Sequence, residues 1–477
     1  MGKRKMPHKH LCKLLVWLVA MCTIRTPAFG DGEAPTPSVP ERPAIKLNRW
    51  QEDWSVLADP RLRTEPLDNL KYIRLNPNDP QSYMSLGLTL RERFETNDAP
   101  SFGVGNVHND SYLLQRFQFH MDVHPDKHWQ VFVEFEDVRA FWKKIITPVD
   151  ENPLDIRQGF VAYTGELGEG EIKVRIGRQQ MAFDLQRFVS VRDGPNVQQA
   201  YDAAWADWEL APWRFITFWS HPVQYRHKDL FDDLSARNLQ YGGFRIERQK
   251  IGPGSLSVYY SRFMQDDVRF IDATGDERRN IIDARYAGEQ SGFDWDLEAM
   301  GQFGAVGGKR VRAWAIGTLT GYTFSDLSWA PRLGLQFDAA SGDRHPGDGS
   351  LETFNPLFPN GYYFTLAGYT GYVNLFHLKP SLTVKPISSV KLLAALGFQW
   401  RQTTADAIYV QPNIPVSGTA GAGGRWSGLY GQVRGEWAIT PNLAGAVEAV
   451  RYWVGDVIRG AGGHDSRYVN VQLQFSW

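Results

Sequence analysis

The sequence predicts an all-β protein: a transmembrane antiparallel β-barrel of the outer membrane, with about eighteen strands, short periplasmic turns and long extracellular loops. Three observations predict it: an export signal at the start, period-two alternation along most of the chain, and an alternating last segment that ends on an aromatic residue.

Residues 1–30 read as a signal peptide. A basic start (Lys3, Arg4, Lys5, Lys9, Lys13) precedes the apolar run Leu14 to Ile24, and Ala28-Phe29-Gly30 supplies small residues for cleavage after Gly30. The run is too short to span a bilayer, which needs about 20 apolar residues. Cleavage removes six basic residues and no acidic one, moving the formal net charge from −1 to −7. Cys12 and Cys22 leave as well, so the mature chain has no disulfide, thiol nucleophile or thiolate metal site.

Residues 31–82 open with the Pro-rich run GEAPTPSVPERP and precede the first strand. They are expected to form a periplasmic tail or a plug inside the barrel.

From residue 83 to 477 the period is two. Met84, Leu86, Leu88 and Leu90 alternate with Ser85, Gly87, Thr89 and Arg91, and Phe117, Phe119, Met121 and Val123 alternate with Arg116, Gln118, His120 and Asp122. At the end, Val469, Val471, Leu473, Phe475 and Trp477 alternate with Asn470, Gln472, Gln474 and Ser476. Each segment is a strand with one apolar and one polar face. Alternation fits a soluble sandwich equally. The export signal, the terminal Trp and the aromatics near strand ends (Trp129, Trp142, Trp213, Trp219, Trp329, Tyr363, Trp400, Trp437, Trp453) favour a membrane barrel, with the apolar face on lipid and the polar face on the lumen. Closure also removes the exposed edges that so many strands would otherwise carry. Connections vary accordingly: Pro386-Ile-Ser-Ser and Thr440-Pro-Asn are short turns, whereas 339–368 and 403–425 are long and rich in Gly, Pro and Asp.

Catalytic and metal signatures are missing from the sequence. It has no GxSxG, HExxH or phosphate-binding loop, and its eleven His are scattered. Glu134-Phe-Glu136 reads as a polar strand face rather than an acid/base pair. Three Asp between Asp338 and Asp348 suggest a loop Ca²⁺ site, although their spacing matches no known loop. No enzyme activity, cofactor or nucleic-acid partner is expected.

Several segments taken in order resemble the bacterial alginate-export outer-membrane proteins: Asn48-Arg-Trp-Gln-Glu-Asp-Trp54, Leu67-Asp-Asn-Leu-Lys-Tyr-Ile73, Arg91-Glu-Arg93, Leu113-Leu-Gln-Arg116, Gly177-Arg-Gln179, Val189-Ser-Val-Arg-Asp-Gly-Pro-Asn-Val197, Leu375-Phe-His-Leu-Lys-Pro380 and Trp400-Arg401. The resemblance covers essentially the whole mature chain. It implies a monomeric barrel whose Arg-lined pore passes an anionic exopolysaccharide outward, with outer-membrane lipid, lipopolysaccharide and periplasmic export proteins as further partners.

A polyuronate carries one carboxylate per sugar, and guanidinium binds carboxylate bidentately without deprotonating. Arg91, Arg93, Arg116, Arg157, Arg175, Arg178, Arg245 and Arg285 stand where strand parity is expected to point inward, and they are the pore-lining candidates. Arg187, Arg192 and Arg401 fall near strand ends or loops. The competing reading pairs these arginines with lumen carboxylates such as Glu92, Glu95, Asp122, Glu134, Glu136, Asp155, Asp283 and Glu298 in structural ladders. In Arg192-Asp193-Gly-Pro-Asn196, Gly-Pro-Asn is a turn by its chemistry alone. Its functional reading is a loop folded inward as a constriction. The mature charge of −7 places any attraction for polyanions in a local field inside the pore. Two alternatives stay open: a general or small-solute-specific porin on the same fold, and a secreted soluble β protein that binds carbohydrate.

Overall fold

The computed structural model describes residues 42–105 and 109–477. The expected signal at 1–30 and the first part of the 31–82 segment lie outside the described residues.

Eighteen strands close into an antiparallel barrel. They are β1 (Tyr83–Asn97), β2 (Asp110–His124), β3 (Trp129–Phe141), β4 (Asn152–Leu167), β5 (Gly170–Gln179) and β6 (Tyr201–Leu210). Next come β7 (Trp213–Gln224), β8 (Leu239–Ile251), β9 (Gly254–Arg269), β10 (Thr274–Gln290), β11 (Phe293–Val306) and β12 (Lys309–Thr323). The last six are β13 (Arg332–Ala340), β14 (Leu375–Ile387), β15 (Val390–Trp400), β16 (Trp426–Thr440), β17 (Leu443–Val454) and β18 (Ser466–Ser476). Each strand pairs with its sequence neighbours, and β1 closes on β18 in register from Thr89↔Ser476 to Asn97↔Tyr468.

The turns on the side of the C-terminus are mostly two residues: 168–169, 211–212, 252–253, 291–292, 388–389 and 441–442. The opposite side carries the long connections, chiefly 180–200, 341–374 and 401–425. That asymmetry marks the first side as periplasmic.

Alternation sets the two faces. On β18 the apolar Val469, Val471, Leu473 and Phe475 are exposed on the outside, while Tyr468, Asn470 and Ser476 are buried on the inside. Trp129, Trp213, Trp437 and Trp453 are likewise exposed. Tyr363 departs from the expected girdle: it lies in the connection 341–374 and points into the barrel, where its hydroxyl donates to Asp338 Oδ1 at 2.7 Å.

The interior also departs from expectation. A uniformly polar lumen face holds only for part of the wall. From β6 to β13 the inward positions include Tyr201, Trp205, Ile216, Phe218, Tyr241, Tyr259, Phe263, Ile281, Met300 and Val311. The reason lies in the two long connections that fold inward and offer Phe183, Phe188, Val189, Phe354, Phe358 and Tyr372 to that wall, forming one hydrophobic core inside the barrel. A parallel bridge between Val189 and Phe358 ties the two connections together, with Ser190 N donating to Phe358 O at 3.0 Å and Phe358 N to Phe188 O at 2.9 Å.

The residues before β1 pack at the periplasmic end. Trp50 meets the inward-facing Phe160 edge-on at 5.9 Å, and Arg175 stacks over Trp50 at 4.2 Å. Arg49 donates to Leu88 O at 3.1 Å and to Trp477 O at 2.9 Å. Lys71 lies over the rings of both Trp54 and Trp477, at 4.9 and 4.4 Å.

Candidate functional site

The connection 180–200 runs from the extracellular end of β5 into the lumen, and the segment Arg192 to Asn196 meets the polar part of the wall. Arg116 of β2 donates through Nε to Asn196 O (2.7 Å), through Nη1 to Asp193 Oδ1 (2.6 Å) and through Nη2 to Pro195 O (2.8 Å). Arg91 of β1 donates to Asn196 Oδ1 at 3.1 Å and stands 3.5 Å from Asp193 Oδ1. Arg93 donates to Gly194 O (2.8 Å) and to the Tyr362 hydroxyl (2.6 Å), with Glu95 2.6 Å away. Asn196 completes the clasp by donating to Gln115 O, Arg139 O and Asp150 O at 3.0–3.2 Å.

A guanidinium presents five donors in a fixed fork, so three of them can hold a loop that carries mostly carbonyl oxygens. The turn at Gly194-Pro195 points its carbonyls at the wall, where Arg93 and Arg116 donate to them. Burial inside the barrel pushes the Asp193 carboxyl up, but Arg116 and Arg91 outweigh it and hold the group well below the usual carboxylate range. Asp193 stays ionised, with its side chain 48% exposed to the lumen.

The other candidates are placed as follows. Arg157 pairs with Glu134 and lies 3.6 Å from Glu136. Arg175 has no carboxylate partner among the described residues and lies between Trp50 and Trp205. Arg245 pairs with Asp184 (2.5 Å) and Glu247 (2.7 Å), and Arg285 with Asp184 (2.8 Å) and Asp296. Arg178 is not in the lumen. It shares the outward parity of the exposed Ile176 and sits at the extracellular end of β5, donating to Asp202 Oδ1 at 2.9 Å. The sequence reading carried the inward parity one residue too far. Arg401 is buried under the connection 401–425 and donates to its carbonyls, including Thr419 O at 2.5 Å.

Sequence reasoning underrated Arg187. Fully buried, it bonds Asp296 Oδ1 at 2.6 Å, Glu298 Oε2 at 2.8 Å and the Tyr363 hydroxyl at 2.6 Å, pinning the inward loop to β11. Asp184 and Tyr362 were missed altogether: their roles come from loop residues crossing the lumen, which no local period records. The three Asp between 338 and 348 do not gather. Asp338 serves Tyr363 and His377, Asp343 lies beside Asp406, and Asp348 caps its own turn at Ser350 N.

Arg192 is the exception in the clasp. Its backbone is left-handed (φ 54°), and its guanidinium has no carboxylate partner among the described residues. It lines a cavity of about 990 Å³ with Gln199, Phe263, Arg269, Phe358 and Tyr409. On the periplasmic side of the same loop a second cavity of about 710 Å³ is lined by Lys250, Arg285, Glu289, Asp294 and Asp296.

The profile of the family described as "Alginate export" matches residues 82–472. The chain belongs to that family. No curated protein matches the sequence. Among solved structures, this alginate-export family chain is similar to OccAB1 of Acinetobacter baumannii, at 10% identity and a TM-score of 0.57 over 86% of this chain and 99% of that one. It is also similar to the outer membrane protein opdK of Pseudomonas aeruginosa (10% identity, TM-score 0.55, 83% and 99% covered). A third is OccK2 (OpdF) of Pseudomonas aeruginosa, solved in complex with glucuronate (11% identity, TM-score 0.53, 82% and 96% covered). The family and the closed barrel make this an outer-membrane channel of a transport family.

Proposed function

We propose that the channel passes anionic saccharides of the uronate class, with an alginate-like polyuronate as the family's substrate, and that the loop from Arg192 to Asn196 is its constriction. The observation that carries this reading is Arg192, a guanidinium on the inward loop with no carboxylate partner among the described residues, beside aromatic rings in a cavity large enough for a sugar unit. Uronate offers both features a partner: a carboxylate for the fork and a ring face for Phe358 or Tyr409. The glucuronate bound to OccK2 supports the same chemistry on a similar barrel. Arg91, Arg93 and Arg116 then act as holders of the constriction, and residues 31–82 as a periplasmic plug whose described part packs on Phe160 and Arg175.

A second reading, a channel specific for small anionic solutes, is favoured by the hydrophobic core that the inward loops build within the barrel. Single-channel recording in planar bilayers separates the two. Anion selectivity with block by polyuronate, weakened in Arg192→Gln, supports the polymer reading. Block by monomeric uronate alone supports the small-solute reading. A pore that neither blocks would sink both.

A further inference from the structure

The outer face of β13 to β18 carries a groove. Leu333, Leu382, Ala394, Val433, Ala449 and Val469 stand opposite one another in a single row across these six strands. Leu333, Leu382, Val433 and Val469 are 40–54% exposed, so the row faces outward, where the wall meets lipid. One step nearer the extracellular side the row reads Leu396, Gly431, Arg451 and Arg467. Ala394, Ala449 and Gly431 are too small to fill their places, and both rows line a cavity of about 760 Å³.

The extracellular end of that groove is cationic. Arg451 and Arg467 are direct cross-strand partners on β17 and β18, an arrangement in which like charges repel. Their forks are little used. Arg451 makes no side-chain hydrogen bond among the described residues and stands 3.6 Å from Asp465. Arg467 donates to Asp98 Oδ2 through Nε at 2.9 Å, with no hydrogen bond from either terminal nitrogen among the described residues. Beyond the groove the same two arginines line a polar recess of about 620 Å³ with Asp98, Lys144, His464 and Asp465, three cations to two carboxylates. Trp453, exposed two residues further along β17, lies 5.9 Å from the Arg451 guanidinium. An exposed Trp at a strand end marks the membrane boundary, so the arginines stand at headgroup depth.

We propose that groove and recess together bind a phosphorylated, acylated glycolipid of the outer leaflet, with an acyl chain along Ala394, Gly431 and Ala449 and a phosphate between Arg451 and Arg467. An apolar groove on a lipid-facing wall takes a hydrocarbon chain, and paired guanidinium forks at its end take phosphate. The extracellular position selects the outer leaflet, which in an outer membrane is built of such glycolipids. The site stands whatever solute the channel carries.

Native mass spectrometry of the refolded barrel in detergent and chelator, titrated with bis-phosphorylated lipid A, tests it. Wild type is expected to retain one lipid. Arg451→Gln should weaken retention about fivefold, as should removal of the phosphates from the lipid, and Arg451→Gln with Arg467→Gln about twenty-five-fold. Arg451 makes no hydrogen bond, so its single variant should keep the folded barrel's gel mobility. Arg262→Gln, which removes an outward arginine of β9, should change nothing. Equal retention of the dephosphorylated lipid, wild-type retention by Arg451→Gln, or an equal loss in Arg262→Gln would overturn the proposal. Phosphatidylglycerol held as tightly as lipid A would overturn the assignment to a glycolipid.

Discussion

The inner wall of this barrel has two parts that hold the same inward loop by different physics. From β1 to β5 the wall is charged, and Arg91, Arg93 and Arg116 grip the Arg192–Asn196 segment through hydrogen bonds to carbonyls and Asp193. From β6 to β13 it mixes an aromatic core, in which Phe183, Phe188 and Val189 of the same connection are buried, with enclosed ion pairs that bind Arg187 to Asp296 and Glu298. Dispersion and burial are short-ranged and lost when a contact opens, whereas a charged grip can exchange its partner for another anion. Burial and the enclosed Arg187 pairs make the β6–β13 side the anchor, and the grip of Arg91, Arg93 and Arg116 is the part expected to yield to a solute.

Four changes test that division, in descending order of expected effect. Arg187→Met removes the cation between Asp296 and Glu298. It should cost about 3–5 kcal/mol, because Glu298 is left as an uncompensated buried charge; equilibrium unfolding of the vesicle-inserted barrel measures it. Phe188→Ala empties a site packed against Phe354 and Tyr372, and a loss of about 3 kcal/mol is expected on the same assay. Arg116→Ala should cost only about 1–2 kcal/mol, since Asp193 keeps Arg91 nearby and faces an open lumen. Its larger effect is on conductance, which should rise and become noisier as the loop tip is freed; unchanged current would show that the charged grip does not restrict the pore.

The smallest effect concerns pH. The folded Asp193 carboxyl is held below its ordinary value. Its contribution is therefore complete above the unfolded carboxylate range and is lost only as pH falls through the lower folded value. Conductance should stay flat from neutral pH down to the usual carboxylate range and grow unsteady only below it. A transition near pH 7 would place the grip elsewhere.

The fold was legible because a barrel writes its period into every strand, and the last ten residues alone carry both faces and the closing aromatic. The interior was legible only where the wall is charged. Tyr201, Phe218 and Tyr241 face inward against a loop, but an aromatic at an inward position reads from sequence like any other strand residue, because the partner lies far away in the chain. Arg178 was misplaced because the inward parity of Arg175 and Gly177 was carried one residue further, onto the outward face that Ile176 marks. Arg192 was noticed as part of a motif, yet its lack of a partner is a property of space.

Arg49 accepts two obligations at once, bonding the carbonyls of Leu88 and Trp477, which belong to the first strand and to the residue after the last. Leu88 and Trp477 are themselves joined in both directions, N to O at 2.7 and 2.9 Å. This pair of acceptors does not exist until the seam between β1 and β18 has formed. Contacts such as Trp54 on Tyr83 of β1 and Trp50 on Phe160 of β4 need no seam. The two bonds of Arg49 are therefore the part of the leading segment that reports it, and protection of Arg49 from protease is expected to rise only when the barrel closes.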